Sequence, residues 1–498
     1  MKNMIYIGAL DAGTTGVRFV IVNSEGYPIA SAYRSLSLRF PQPGWVEQDP
    51  EEIRDAALWA IKEATSQAGL DPSRLTGLGI TNQRETIVVW NKTTGKPLAP
   101  AIVWQDRRTA DRCMELRRNP LLLQEIREKT GLLPDPYFSA TKLEWLFRKE
   151  PTLLSGAQSG KVCLGTIDSW LLFSLTGVYA TDHTNASRTL LFSIKRLQWD
   201  DELCREFSVP CQALPPIFPS ISFFGYTKRS IVGAEIPVAG ILGDQQAALI
   251  GQARLERGEA KITWGTGAFL LVNSGEELLT PPEGILTTVA YTTREGPHYA
   301  VEGSIFVAGA GVQWLRDNLG LLHNVQESEE LALTLDNNEG VYFVPALTGL
   351  GAPYWDPYAR GVFIGLTRGT TKAHLVRAAL EAIAYQTYDL VDVFSRTFPW
   401  RILELRVDGR AAQNNFLCQF QADILGKPVL RPKFLETTAL GAAFACGWAL
   451  GIWSPSDIRR LWQEDRRFLP SMPEEVRYKL LRGWYRAVER ARGWVEEA

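Results

Sequence analysis

The chain's 498 residues, 45% hydrophobic and 22% charged, describe a globular protein with ample material for buried cores. Lysine and arginine number 53 against 55 aspartate and glutamate, so the formal net charge of -2 offers no long-range attraction to nucleic acid or to an anionic membrane. Six cysteines without a CxxC pair, and four histidines with none at zinc-ligand spacing from another, give no zinc motif and suit free thiols in a reducing cytoplasm.

The N-terminal apolar run leads into a turn at Asp11 rather than to a cleavage site, and no stretch approaches membrane-spanning length. From Ile5 to Gly26, IYIGALDAGTTGVRFVIVNSEG reads as a strand, a glycine-threonine turn and a returning strand. The segment FPQPGWVEQDPEEI then sets Asp49-Pro50 before Glu51 and Glu52, which predicts a helix running to about Gln67. LTGLGITNQRETIVVWN places two apolar strands around the polar insert Asn82-Gln83-Arg84-Glu85. Four polar residues between buried strands either form a solvated turn or line a cleft and bind something polar there. Helical patterns follow from Asp106 to Arg118, from Leu121 to Thr130 and through TKLEWLFRKE, and VCLGTIDSWLLFSLTG reads as a strand feeding a helix.

In PVAGILGDQQAALIGQ a strand meets a helix at Gly243-Asp244, where Asp244 either caps the helix or faces a substrate. The strand-turn-strand signature then recurs in AKITWGTGAFLLVNSGEE, from Ala260 to Glu277. Either hairpin alone is an ordinary turn, but the repetition about 250 residues along predicts two similar domains gripping one polyphosphate from opposite sides. Glycine permits close backbone approach to phosphate, and threonine adds a hydroxyl. The segment from Val341 to Thr371 reads as a meander with an extended loop, and AHLVRAALEAIAYQTYDLVDVF as a helix. LELRVDGRAAQNNFLCQFQADILG gives a strand, a turn at Asp408-Gly409-Arg410 and a helix from about Asn414, a natural nucleotide contact. From Pro473 to Ala498, Trp484, Trp494 and many charges at helical spacing predict an outer amphipathic helix.

These landmarks resemble the FGGY carbohydrate kinase family, and within it the branch that phosphorylates glycerol. The likeness covers nearly the whole chain and rests on PGWVEQDPEEI, GITNQRETIVVW, AIVWQDRRTA, DPYFSATKLEWL, TDHTNASRTLLF, GDQQAALIGQ, TGLGAPYWDPYARG and ETTALGAAFACG. It implies the two-domain α/β actin-like ATPase (ribonuclease H-like) fold, with mixed sheets flanked by helices. Residues 1–250 would form a substrate and phosphate domain, and 251–498 a nucleotide domain. The implied reaction is ATP-dependent phosphorylation of glycerol to sn-glycerol 3-phosphate with Mg2+, in a cytoplasmic dimer or tetramer. By the same resemblance Arg84, Glu85, Asp244 and Gln245 bind the hydroxyls, and Trp104, Tyr137 and Phe269 line the apolar side. Asp244 is the general base, a choice over Glu85 or Asp11 that the residues themselves do not make. Asp11 orients magnesium through water, Thr14, Thr15, Arg18 and Thr266 hold the phosphates, and Gly309 and Gln313 lie near the nucleotide. Bland alternatives stand beside these roles: Trp104 as core, Arg84 and Glu85 as a surface ion pair, Gly309 as helix packing.

The chain departs from the family pattern most consequentially at Asp408-Gly409-Arg410, where relatives carry Asp-Gly-Gly. If that position has positive φ, arginine adds about 1 kcal/mol of strain and its side chain must leave the pocket. Otherwise Arg410 turns outward or stacks on the base, and nucleotide still binds. Ala12, Gly16 and Trp264 replace glutamine, serine and tyrosine and are tolerable. Glu235 stands where members inhibited by fructose 1,6-bisphosphate carry arginine, which predicts no such inhibition. Two other readings remain: a related kinase for another small polyol or ketose, and a catalytically impaired glycerol-binding sensor motivated by Arg410.

Overall fold

The computed structural model describes residues 5–281 and 284–495. Each of its two large sheets is built around one of the glycine-threonine hairpins. The first runs in the order Phe223–Tyr226, Pro237–Gly243, Gly77–Asn82, Tyr6–Ala12, Gly16–Asn23, Pro28–Ser35. The second runs Leu286–Thr292, Pro297–Ile305, Ala268–Gly275, Ala260–Trp264, Leu405–Asp408, Val429–Pro432, Glu464–Phe468. In both, the hairpin strands pair antiparallel, and the first of them also pairs parallel with a strand from much later in the chain. A second parallel neighbour and an antiparallel edge strand complete the same pattern on that side. The duplication thus extends well beyond the two turns, and Leu286–Thr292 is the added edge of the second sheet.

Parallel strands covered on both faces read as unbroken buried runs, and Gly77–Asn82 is buried at every position. The helix Pro50–Gln67 forms as its sequence signals require: Asp49 accepts the Glu51 N–H, Pro50 opens the first turn, and Ile53, Ala57, Ala60, Ile61 and Ala64 face the core. This helix packs on the Gly16–Asn23 and Pro28–Ser35 strands. Among the described residues no helix is long and apolar enough to cross a membrane.

Two helices tie the sheets together by exchange. Asp244–Gly251 follows a strand of the first sheet and reaches strands Ala260–Trp264 and Ala268–Gly275 of the second. Conversely, Thr437–Ala449 follows a strand of the second sheet and lies across Pro237–Gly243, Gly77–Asn82 and Tyr6–Ala12 of the first. Their backbones touch where they cross: a Cβ on Gly441 would sit 1.7 Å from the Ala247 carbonyl oxygen, and one on Gly251 1.9 Å from that of Thr437. Only glycine permits this approach.

Two expectations shift. The helix expected from Asp106 begins only at Ala110, because the Asp106 carboxylate is committed to a turn, accepting from the Val46 N–H at 2.6 Å and the Arg108 N–H at 2.8 Å. At the C-terminus the helix spans Glu474–Ala491, so the exposed Trp494 lies past its end. Trp484 is fully buried and donates its indole N–H to Asp389. The remaining positions of that expectation, 496–498, lie outside the described residues.

The helix crossing makes a stability prediction. Gly441→Ala forces the two exchanged helices apart and costs about 1–3 kcal/mol, the usual range for overpacking. Urea unfolding should show a lower midpoint at unchanged slope.

Candidate active site

A cleft of about 210 Å3 lies between the sheets, lined by Asp11, Thr14, Thr15, Arg84, Glu85, Trp104, Tyr137, Asp244, Gln245, Thr266 and Phe269, together with Gly13, Thr263, Gly265, Gly267 and Thr438. The two hairpin turns face it with matching geometry. The Gly13 N–H donates to the Gly16 carbonyl at 3.0 Å in one turn, and the Gly265 N–H to that of Gly267 at 2.9 Å in the other. The amides of Thr14, Thr15 and Thr266 have no acceptor among the described residues, which leaves donors for an anion. Between the turns stands the first turn of the Thr437–Ala449 helix, whose N-terminus has no side-chain cap.

The polar insert is buried throughout, so it is not a solvated turn. Arg84 Nη1 and Nη2 hold both oxygens of Glu302 at 2.7 and 2.9 Å. Nη1 also donates to Gln246 and Nη2 to the Tyr137 hydroxyl, while Nε faces Asp244 Oδ1 at 3.2 Å. Arg188 binds Glu302 Oε1 at 3.0 Å and Glu85 Oε1 at 2.7 Å. Glu85 Oε2 has no donor among the described residues. Burial would raise the pKa of Glu302, but the guanidinium groups of Arg188 and Arg84 hold it at about 2. For Glu85 burial wins and the pKa is raised despite both arginines.

The backbone at Glu85 is left-handed, with φ 64°. The Thr86 N–H donates to the Arg84 carbonyl at 2.7 Å across it, and Ser139 Oγ donates to the Glu85 carbonyl at 3.0 Å. This tight turn aims consecutive side chains, Arg84 and Glu85, into one site, a conformation that costs about 1–3 kcal/mol for a residue with a Cβ.

Asp244 opens its helix with 27% of its side chain still exposed in the cleft. Its Oδ1 accepts the Gln245 N–H at 2.7 Å, and burial raises its pKa against the opposing pull of Arg84 and Lys261. Lys261, fully buried, donates to Gln245 Oε1 at 2.6 Å and Thr263 Oγ1 at 2.9 Å, so the NH2 end of the Gln245 amide is the end left to donate. Burial lowers the Lys261 pKa to about 8, opposed by Asp408 and Asp244. Trp104, Tyr137 and Phe269 meet edge to face with centroids 5.6 and 6.0 Å from Trp104, and the Trp104 indole N–H is anchored on Thr14 Oγ1 at 2.8 Å. The three rings make one apolar wall, and half-buried Trp104 is not simply core.

Asp11 has no ion-pair partner of its own among the described residues. Burial first, then the charges of Asp244 and Glu436, push its pKa up to about 7, with Arg18 opposing. An uncompensated carboxylate beside a phosphate-shaped turn fits a hydrated Mg2+ held by few protein ligands. No cluster of three or more acidic, histidine or cysteine side chains suited to a metal exists among the described residues, so any such ion takes most ligands from water and phosphate.

Arg18, Gly309, Gln313, Arg410 and Asn414 do not line this cleft. Arg18 pairs with Glu436 at 3.0 Å. Gly309 packs on the second turn, donating to the Gly265 carbonyl at 3.0 Å, and its Cβ would lie 2.6 Å from that oxygen. Gln313 is exposed, and Asn414 caps its helix by accepting the Leu417 N–H. Arg410 is exposed and its φ is not positive; the left-handed residue in that loop is Gly409, at φ 84°. The feared strain at Arg410 is therefore absent.

Sequence reading missed Glu302, Arg188, Lys261 and Thr438. Glu302 and Lys261 had a signal, each a lone charge inside an apolar strand.

Profiles of the FGGY family of carbohydrate kinases match residues 6–251 with the N-terminal domain and 260–450 with the C-terminal domain. The chain belongs to this family. It is 53% identical to a glycerol kinase of Thermus brockianus, covering 99% of this chain and 100% of the relative. It is 50% identical to glycerol kinase 2 of Thermotoga maritima, covering 99% of each. The crystal structure of Plasmodium falciparum glycerol kinase with ADP superposes with a TM-score of 0.89 at 37% identity over 98% of both chains. The FGGY fold is the two-domain actin-like arrangement inferred from the sequence, and the duplicated sheets are its two halves.

Lys261 gives a pH prediction. Its native pKa lies below the ordinary 10.5, so the cation that orients Gln245 is present below about 8 and lost above it. kcat/KM for the FGGY substrate should fall as pH rises through about 8, and Lys261→Met should show a lower plateau without that alkaline limb.

Proposed function

We propose that the chain transfers the γ-phosphoryl group of ATP to glycerol, giving sn-glycerol 3-phosphate, with Asp244 as general base. The observation that carries the reading is the convergence, in a cleft of about 210 Å3, of Asp244, the free oxygen of Glu85 and the Gln245 amide beside an aromatic wall. A triol offers three hydroxyls to such groups and a carbon edge to the rings. The relatives at 50–53% identity are named glycerol kinases, whereas a gluconate kinase of Lactobacillus acidophilus matches at 25%. No observation favours another polyol or ketose, and with Arg410 unstrained none favours a silent sensor.

The raised pKa of Asp244 suits a base that accepts the hydroxyl proton as the new P–O bond forms. Its Oδ1 is occupied by the Gln245 N–H and faces Arg84, leaving Oδ2 for the hydroxyl. The free amides of Thr14, Thr15 and Thr266 and the start of the Thr437–Ala449 helix bind the phosphates from both sides. Asp11 would hold Mg2+ through water, and the ion would neutralise phosphate charge when bound. Domains 1–250 and 251–498 close over the bound pair and exclude water that would otherwise accept the phosphoryl group.

A coupled assay of ADP release over a panel of polyols tests this, with turnover expected on glycerol. Turnover only on another polyol, or glycerol binding without turnover, would overturn it. Asp244→Asn should lower kcat by about 10²–10⁴-fold, the usual contribution of a positioned base. Because Arg410 is exposed and unstrained, Arg410→Gly should change the KM for ATP by no more than about twofold, as surface substitutions do.

A further inference from the structure

A second, larger cavity of about 560 Å3 lies between the two halves of the molecule, away from the active site. One wall comes from the first half: Leu123, Leu132, Leu133 and Ile194. The opposite wall comes from the second: Leu278, Leu279, Pro281 and Ile285. Its volume falls within the range of small-molecule sites, about 300–1,000 Å3. Among the described residues, the charged groups lining it are Arg127, Lys195 and Glu128. Neither cation has an ion-pair partner among the described residues, whereas Glu128 accepts from Gln124 at 2.8 Å. Among the described residues this apolar chamber carries two uncommitted cations and one carboxylate, which suits a ligand with an apolar chain and a single anionic head.

Both walls lead directly to the active site. From Leu133 the chain runs through Pro134, Asp135 and Pro136 to Tyr137 of the aromatic wall. On the other side, the strand that supplies Thr287 pairs Leu286 opposite Glu302, the anchor of Arg84. Its next residues, Thr288 and Val289, accept from the Gln246 amide, and Gln246 accepts from Arg84. At the cavity the halves are joined backbone to backbone, the Thr287 N–H donating to the Gly131 carbonyl at 2.9 Å.

We propose that this cavity is an effector site for a single-chain amphiphilic carboxylate, whose binding across the two halves favours the arrangement that holds Arg84 on Glu302 and so tightens glycerol binding. By linkage, glycerol must tighten the effector by the same factor.

Calorimetry with octanoate on the full chain tests this. Octanoate should bind, while octanol, lacking the charge, and butyrate, lacking the chain, bind at least tenfold more weakly. Arg127→Gln and Leu123→Trp should each weaken octanoate at least fivefold, with the basal phosphotransfer rate unchanged as evidence of folding. Saturating octanoate should lower the glycerol Kd by about threefold or more, and glycerol should lower the octanoate Kd equally. Absence of octanoate binding, equal binding of octanol, undiminished binding by both variants, or no change in glycerol affinity overturns the proposal. The coupling arm rests on glycerol being the ligand of the cleft; the octanoate arm does not, so the two can fail separately.

Discussion

The carboxylate of Glu302 is fully buried and shared by two buried arginines, Arg84 at the end of a first-sheet strand and Arg188 from a loop of the same half. Glu302 itself belongs to the second sheet, so this ion cluster spans the two halves beneath the active site. Removing one partner of such a cluster leaves an uncompensated buried charge and costs about 3–5 kcal/mol. The cluster also decides how Arg84 presents itself. With Nη1 and Nη2 committed to Glu302, Gln246 and Tyr137, the guanidinium is locked in plane, and its Nε edge faces Asp244.

That lock makes the strained turn at Glu85 useful. The left-handed backbone there puts Glu85 Oε1 onto Arg188 and leaves Oε2 for a ligand, while Ser139 holds its carbonyl. The same cations hold Glu302 ionised and moderate the pKa rise that burial imposes on Glu85 and Asp244. Charge and geometry are thus set together by one buried cluster.

Around it, on the proposed reaction, the duplicated sheets would hold a polyanion without a dense cation patch. Each hairpin turn offers backbone amides, and the helix Thr437–Ala449 adds its N-terminus because it has crossed onto the first sheet. The crossing needs glycine at 251 and 441, where backbone meets backbone. The two halves are joined as well along the second sheet's edge strand, where the Ile221 N–H donates to the Thr292 carbonyl and the Thr287 N–H to that of Gly131, both at 2.9 Å.

Much of this was legible in the residues. The repeated hairpins announced the duplication and Asp49-Pro50 announced its helix, because local propensity and patterning act over a few residues, whereas the polar insert between apolar strands left a solvated turn and a cleft lining both open until its burial decided. The family resemblance points to Arg84, Glu85, Trp104, Tyr137, Asp244 and Phe269, and they share one cleft. What tertiary structure alone decided was partnership. Glu302 meets Arg84 across 218 positions of sequence, and Lys261 orients Gln245 from a neighbouring element. It likewise showed that the arginine of the Asp408-Gly409-Arg410 turn sits one residue past the left-handed position, because the positive φ falls on Gly409, packed against the Trp264 carbonyl, and not on Arg410.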